Sequence, residues 1–290
     1  MRNKPVRKTG FAYMKIKIFF ILFTFFANSV LADGHLVDPK FFKVCADPYM
    51  LPMSNKNGEG YENKIAELFA EKLGLELKYE FFPQRIGFIR NTLRAESEIA
   101  KGYKCDIVMN VPSSFELAAT TEPYYTTSYA LVFAKGGKLD SVTDPSMLLD
   151  AAKASKEKVK IGLTDVGAAQ LWVFYNGLMS YITPYQGQPG DPKANPAKTL
   201  IDDIVAGKID ATVVMGQSAG YWAKQYKDKT ELVVLPIKDD PEKKIRLSYS
   251  FSMAVRYREK AWKETIDKLI TQNQAEIEKI LVDYNIPLIK

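Results

Sequence analysis

After residue 40 the chain alternates short continuous apolar runs with stretches whose apolar positions recur at helical spacing, the pattern of buried strands joined by amphipathic helices. The run FKVCA at 42–46 reads as the first strand. It breaks at Asp47-Pro48 into a loop of aromatic and polar residues, and a Gly-containing turn feeds a helix over 62–73 with apolar positions at Ile65, Leu68, Phe69 and Leu73. Gly74 stops that helix, since glycine takes the left-handed conformation of a helix end without steric cost. A second strand over 77–82, a helix over 86–95, the polar excursion ESEIAKGYK and a third strand over 106–111 complete a βαβαβ unit. Such units build parallel sheets with right-handed crossovers and bind ligands at the carboxyl ends of their strands.

The pattern then repeats. A strand over 129–133 runs into AKGGK at 134–138, a linker of hinge composition. Beyond it the spacing predicts a helix near 145–154, a strand over 159–163 and a helix over about 166–179. The stretch TPYQGQPGDPKANPA at 183–197 holds four prolines and two glycines, too many for a regular element, and reads as a loop or a lip over a cleft. A helix over 198–206, a turn and strand over 207–214, a helix over 217–225 and a strand over 231–236 follow. The chain crosses back around 248–255, and helices over 259–274 and 276–283 pack on the first unit. The predicted architecture is therefore α/β: two doubly wound lobes, residues 40–133 with 250–290 and residues 137–246, joined by a double-crossing hinge that lets them rotate.

A length of 290 residues suits two lobes with adequate cores. The formal charge of +6 points toward polyanions until it is located: Arg2, Lys4, Arg7, Lys8, Lys15 and Lys17 all fall in the first 32 residues, which contain no acid. The remaining 34 basic residues balance 34 acidic ones, so a nucleic-acid partner is not expected. That leader has the parts of a secretory signal peptide over 1–32. Lys15 and Lys17 precede an apolar stretch over 18–27, and Val30-Leu31-Ala32 forms a cleavage site before Asp33. The apolar run is shorter than the roughly 20 residues that span a bilayer, so no stable span is expected after cleavage, and the mature protein is expected in the periplasm. Met14 is an alternative start.

Export puts Cys45 and Cys105 in an oxidising compartment. Cys45 lies in the first strand and Cys105 just before the third; in a doubly wound sheet these are neighbours, within reach of a disulfide, and two buried thiols are the alternative. Catalytic chemistry has little support. The single histidine, His35, sits in the mature tail, which leaves no Ser-His-Asp or Cys-His arrangement inside the fold. The cysteines lack zinc spacing, and neither a calcium loop nor a phosphate-binding glycine motif occurs. Asp202-Asp203 and Asp239-Asp240 read as solvated faces. No catalytic residue, metal or cofactor is expected.

Leu51-Pro52 after Asp47-Pro48, the strand DIVM, Glu122-Pro123-Tyr124-Tyr125, Asp210-Ala211 after Gly207, and a closing helix at Ile280 to Tyr284 together resemble the type II periplasmic solute-binding proteins over nearly the whole mature chain. More narrowly, CADPYMLPMSN, GEGYENKIAELFAEKLG, FPQRIGFIRNTL, CDIVMNVPSSFELAATTEPYYTTSYALVF and YNIPL resemble the quinoprotein-dehydrogenase-associated binding proteins of the MoxJ/XoxJ type. The chain departs from that pattern in Phe81-Phe82, where tryptophans are usual, and in a longer excursion before Cys105. The resemblance implies a periplasmic, non-enzymatic accessory protein of a PQQ-dependent methanol dehydrogenase, the lanthanide-dependent kind included, with an unidentified small molecule as a further occupant of its cleft.

Amino-acid-binding relatives grip a zwitterion with an Arg after the third strand and an acid in the second lobe. The corresponding stretches here are Val111-Pro112-Ser113-Ser114 and 210–216, which hold no such clamp, so a standard amino acid is disfavoured. The expected cleft is edged by Asp47, Tyr49, Met53, Tyr61, Tyr124 and Tyr125 at strand ends, Gln84 and Arg85 after the second strand, and Ser113 and Ser114 after the third. Aromatic and Arg-bearing walls suit a protein segment. The tyrosines read equally as packing, and Arg85 as an ion-pair partner of Glu62. Trp172, Phe174, Tyr175, Trp222 and Tyr226 have the helical spacing of core residues, with exposure beside the 183–197 loop as a docking face the lesser alternative. Two other functions stay open: a transport receptor for a small solute, and an enzyme using Glu, Lys or Tyr as acid and base.

Overall fold

The computed structural model describes residues 37–99, 101–165 and 167–289; the leader at 1–32 and His35 lie outside them. The first lobe opens with β1 (Phe41–Ala46), the short hairpin β2 (Tyr49–Met50) and β3 (Ser54–Asn55), α1 (Tyr61–Leu73), β4 (Glu76–Phe81), α2 (Phe88–Asn91), β5 (Ile107–Pro112) and β6 (Ala119–Thr120). β7 (Tyr125–Ala134) leads to the second lobe, made of α3 (Leu148–Ala154), β8 (Ile161–Thr164), α4 (Ala168–Tyr175), β9 (Ile182–Tyr185), α5 (Pro196–Val205), β10 (Ala211–Met215), α6 (Gly216–Tyr226) and β11 (Leu232–Pro236). β12 (Ser248–Val255) returns, and α7 (Lys260–Gln272) and α8 (Gln274–Asp283) close the first lobe.

β1 is flanked in parallel by β4 and β5, and β8 in parallel by β9 and β10. Each lobe thus has a switch point beside its first parallel strand, where a crevice opens at the carboxyl ends. The two halves share β7. Its residues 125–128 pair antiparallel with β12, and its residues 129–134 pair antiparallel with β10 and β11. The first crossing therefore lies inside a regular strand, between Ser128 and Tyr129. The glycines predicted as a hinge sit instead in a turn at the far end of the second lobe, where Gly136 takes φ 77 and Lys135 N–H bonds Glu231 O. The return crossing falls where Leu247, in the second lobe's core, gives way to Phe251 in the first lobe's.

Cys45 and Cys105 form a disulfide across neighbouring elements, Cα atoms 5.4 Å apart. It lies beside a buried polar anchor. Arg256 donates to Leu93 O, Cys105 O and Asp106 Oδ1 and pairs with Glu259. The helix expected over 86–95 shrinks to the single turn of α2, because Gly87 (φ 90) and Thr92, whose Oγ1 bonds Phe88 O at 2.7 Å, break it at both ends. The Pro-rich stretch is more ordered than expected: Pro184 sits exposed in β9, which pairs on one side only with β8, and Pro196 is the first residue of α5 behind the capping Asn195.

Candidate functional site

β1 ends at Ala46, and the buried Asp47 that follows ties two loops together. Its carboxylate accepts from Tyr49 N–H at 2.7 Å and Gln84 N–H at 2.5 Å, joining the loops after β1 and β4. Burial pushes the Asp47 carboxyl above its ordinary range. Ser54 Oγ closes the hairpin on Asp47 N and O. Met53 acts through its backbone. Its carbonyl accepts from Glu62 N–H, and a Cβ on Gly60 would stand 2.0 Å from that oxygen, so only glycine fits the entry to α1. Asn63 Oδ1 secures the same entry from Asn55 N–H and Gly60 N–H.

Of the tyrosines expected on the cleft, Tyr49 is partly exposed, whereas Tyr61, Tyr124 and Tyr125 are buried in the first lobe's core. Tyr61 and Tyr124 are therefore corrected from cleft wall to core. Tyr61 precedes Ile65 and Phe69 at helical spacing and shares their inward face, and Tyr124 lies beneath α8, whose Gln274 Nε2 bonds its carbonyl. Tyr125 is the hub of a polar cluster at the lobe junction. Its hydroxyl donates to Asn110 Oδ1 at 2.5 Å and accepts from Gln217 Nε2 of α6 at 2.8 Å, with Tyr61 Oη 3.0 Å away. Asn110 reaches it through a left-handed backbone (φ 54) at a bulge, where Met109 and Asn110 of β5 oppose Met253 alone. Next to this cluster Glu62 is shut in without a hydrogen-bond partner for Oε1, and burial, reinforced by Asp47, pushes its carboxyl up to about 8.

Arg85 does not pair with Glu62. Its guanidinium crosses the junction and donates to the carbonyls of Pro189 and Asp191, in the Pro-rich loop of the second lobe. Gln84 and Arg85 edge a cavity of ≈ 510 Å³ with Ile86, Phe88, Arg90 and Leu117. Ser113 Oγ is committed to Ser250 O and Ser252 Oγ at 3.0 and 2.7 Å, which locks the loop to β12; Ser114 is exposed. Asp210 stands at the start of β10, taken up by Lys160 N–H and Lys138, away from the carboxyl end where Met215, Gly216 and Gln217 stand.

A second cavity, ≈ 570 Å³, opens between the β2–β3 hairpin and the amino end of α5, with Tyr49, Lys56, Lys193, Asn195, Lys198 and Trp222 on its walls. Sequence reasoning missed Asn110, Gln217, Lys56, Lys193 and Asn195. Asn195-Pro196 ahead of an amphipathic helix is a capping signal that marks the last of these; the others carry no local signature. Trp172 and Trp222 are buried as expected, while Phe174 and Tyr175 are 61% and 49% exposed and share, with exposed Leu171, one face of α4; Met179, beyond the helix, is exposed as well. Among the described residues no cluster of His, Cys, Asp and Glu could hold a metal ion, and no helix is long and apolar enough to cross a membrane.

No protein-family model matches the chain. It is 25% identical over 276 residues, 91% of its length and 86% of the relative's, to Protein MoxJ of Methylorubrum extorquens AM1. The crystal structure of periplasmic binding protein XoxJ from Methylobacterium extorquens AM1 superposes with a TM-score of 0.65 at 28% identity, covering 86% of this chain and 99% of that one. That of MxaJ from Methlophaga aminisulfidivorans MPT gives a TM-score of 0.67 at 23% identity, covering 86% of this chain and 100% of the other. The fold is that of the type II periplasmic binding proteins, and the resemblance to MoxJ and XoxJ read from the sequence stands.

Proposed function

We propose that this chain is a non-enzymatic periplasmic accessory protein of a PQQ-dependent methanol dehydrogenase, binding a segment of that partner to assist its maturation, activation or cofactor loading. The observation that carries the reading is that the charges an amino acid would need are engaged or displaced: Arg85 at the lobe junction is taken up, and Asp210 stands at the far end of β10. Arg85 is engaged by backbone carbonyls of the opposite lobe and Asp210 by Lys160 and Lys138, so neither is free to hold the carboxylate or ammonium of an amino acid. The similarity to MoxJ over nine-tenths of the chain and the exposed apolar face of Leu171, Phe174 and Tyr175 on α4 support a protein partner.

The test is calorimetric titration of the mature protein with apo methanol dehydrogenase from the same organism, beside a panel of amino acids and organic acids. Saturable binding of the dehydrogenase, weakened roughly tenfold or more by Phe174→Ser, is expected. Tight binding of an amino acid with no heat from the dehydrogenase returns the protein to solute transport.

A further inference from the structure

We infer that the cavity beside α2 in the first lobe is a docking site for a protein segment that presents an aromatic or branched apolar side chain between carboxylates. Which protein carries that segment rests on the accessory reading; the site itself does not, and it shares no residue with the face of α4.

The cavity exists because a helix stops short. Gly87 and Thr92 confine α2 to one turn, and beside the small core that it shares with Val108, Val111 and Phe115 a hollow of ≈ 510 Å³ remains. Arg94, just after α2, donates to Leu117 O and so fixes the loop after β5 as one wall. The mouth is apolar as well. Leu117 is 53% exposed and Ile86 89%, so most of Ile86 stands outside the hollow, where only an occupant larger than the hollow covers it. That favours a protein segment over a free small acid.

The charge around the mouth has one sign. Arg85, Arg90 and Arg94 line the cavity and no Asp or Glu does, in a chain whose charges beyond the leader balance. Among the described residues the only arginine in an ion pair is Arg256. Arg85 and Arg94 donate to the carbonyls of Pro189, Asp191 and Leu117, which fixes the two guanidiniums without neutralising them, and Arg90 is exposed to solvent. The Asp191 carboxylate is turned to its own loop, where it accepts from Lys193 N–H at 2.9 Å. Three uncompensated cations around one cavity make a positive field that draws carboxylates, and a guanidinium can take a carboxylate in a bidentate way. Exposed ion pairs add little affinity. The apolar side chain in the hollow therefore supplies most of the binding, while the arginines select an acidic sequence and speed the encounter.

The test is calorimetric titration of the mature protein at low ionic strength with the blocked peptide Asp-Glu-Phe-Leu-Glu-Asp. Three controls run beside it: the amide twin Asn-Gln-Phe-Leu-Gln-Asn, the polar twin Asp-Glu-Ser-Ser-Glu-Asp, and phenylacetate, which has ring and charge but no chain. One-to-one binding of the first peptide, about tenfold tighter than each control and weakened about tenfold by the double variant Ile86→Ser/Arg90→Glu, is expected. Both positions are exposed, so the double variant should keep the unfolding temperature of the parent. Phe174→Ser, on α4, should bind the peptide like the parent. The inference is overturned if the acidic peptide does not bind, if any control binds as tightly, or if the double variant binds like the parent. Peptide binding with no heat from apo methanol dehydrogenase overturns the accessory reading and keeps the site; dehydrogenase binding with no peptide binding does the reverse.

Discussion

Glu62 is a fully buried carboxyl group near Tyr61, Tyr79, Tyr124, Tyr125 and Asp47, and among the described residues no cation offsets its loss of water. Its pKa rises from 4.5 to about 8, first by burial and then by repulsion from Asp47. The folded state therefore holds a proton that the unfolded chain gives up near 4.5, and stability must fall as pH rises through the window from 4.5 to about 8. Glu62→Gln keeps the shape and cannot ionise. Thermal unfolding of this variant should match the parent near pH 4.5 and exceed it at pH 8 by on the order of a few kcal/mol; equal curves at both pH values would refute the burial argument. The neighbouring Tyr61 shows how much a residue's role depends on where its helix starts. A helix that starts at Glu62, as the apolar spacing predicts, leaves Tyr61 in a loop and free to face a cleft. Begun one residue earlier, the helix puts Tyr61 on the stripe with Ile65 and Phe69, and helical phase alone makes it core. No such phase argument reaches Asn110, whose left-handed backbone belongs to a bulge set by strand pairing.

At the scale of elements, the strands and long helices follow their apolar spacing closely, and the exceptions have local causes such as the Gly87 and Thr92 breaks around α2. What the spacing does not report is how elements approach one another. Gly220 in α6 carries no conformational demand, yet a Cβ there would stand 1.8 Å from Asn285 O and 3.1 Å from Pro287 Cδ. Asn285 returns the contact by donating Nδ2–H to Gly220 O at 2.9 Å, and Thr127 Oγ1 bonds Pro287 O at 2.6 Å. The closing YNIPL segment is thus pressed onto α6 and the first crossing, joining the last helix of one lobe to the other lobe. Gly220→Ala forces backbone against backbone, where no side chain can swing aside. A loss of roughly 1–3 kcal/mol is expected, read as a lower unfolding temperature together with faster amide exchange across residues 284–289. Unchanged exchange there would mean that the tail does not depend on this contact.

For the whole molecule, composition points to a glycine linker as the hinge, whereas the chain crosses inside β7, a strand with ordinary ladder bonds on both sides of the crossing. A crossing strand needs no glycine, because the bend is spread over regular extended backbone, and composition is blind to it. The lobes are also tied at the rim. Arg85 holds the Pro189 and Asp191 carbonyls on one edge, Asn195 holds Leu51 O at 2.6 Å on the other, and Tyr125 meets Gln217 between them. The rim ties are three side chain to backbone hydrogen bonds, one from Asn195 worth about 1 kcal/mol and two from the charged Arg85 at partly exposed and exposed positions, worth on the order of 1–3 kcal/mol together after screening by solvent. They are weak against the lobe cores, and hinge closure in bilobal proteins is governed by such contacts between the lobes. Removing one edge's tie leaves the other to hold the rim; removing both leaves the buried Tyr125–Gln217 contact and the C-terminal tail on α6. Arg85→Ala/Asn195→Ala should therefore give a larger radius of gyration by small-angle scattering, with the single variants between it and the parent. Loss of the Asn195 cap adds about 1 kcal/mol of destabilisation to α5, so the Arg85→Ala single variant, which spares that helix, separates opening from local unfolding. Identical scattering from parent and double variant would show that the Tyr125–Gln217 contact and the C-terminal tail suffice to keep the lobes together.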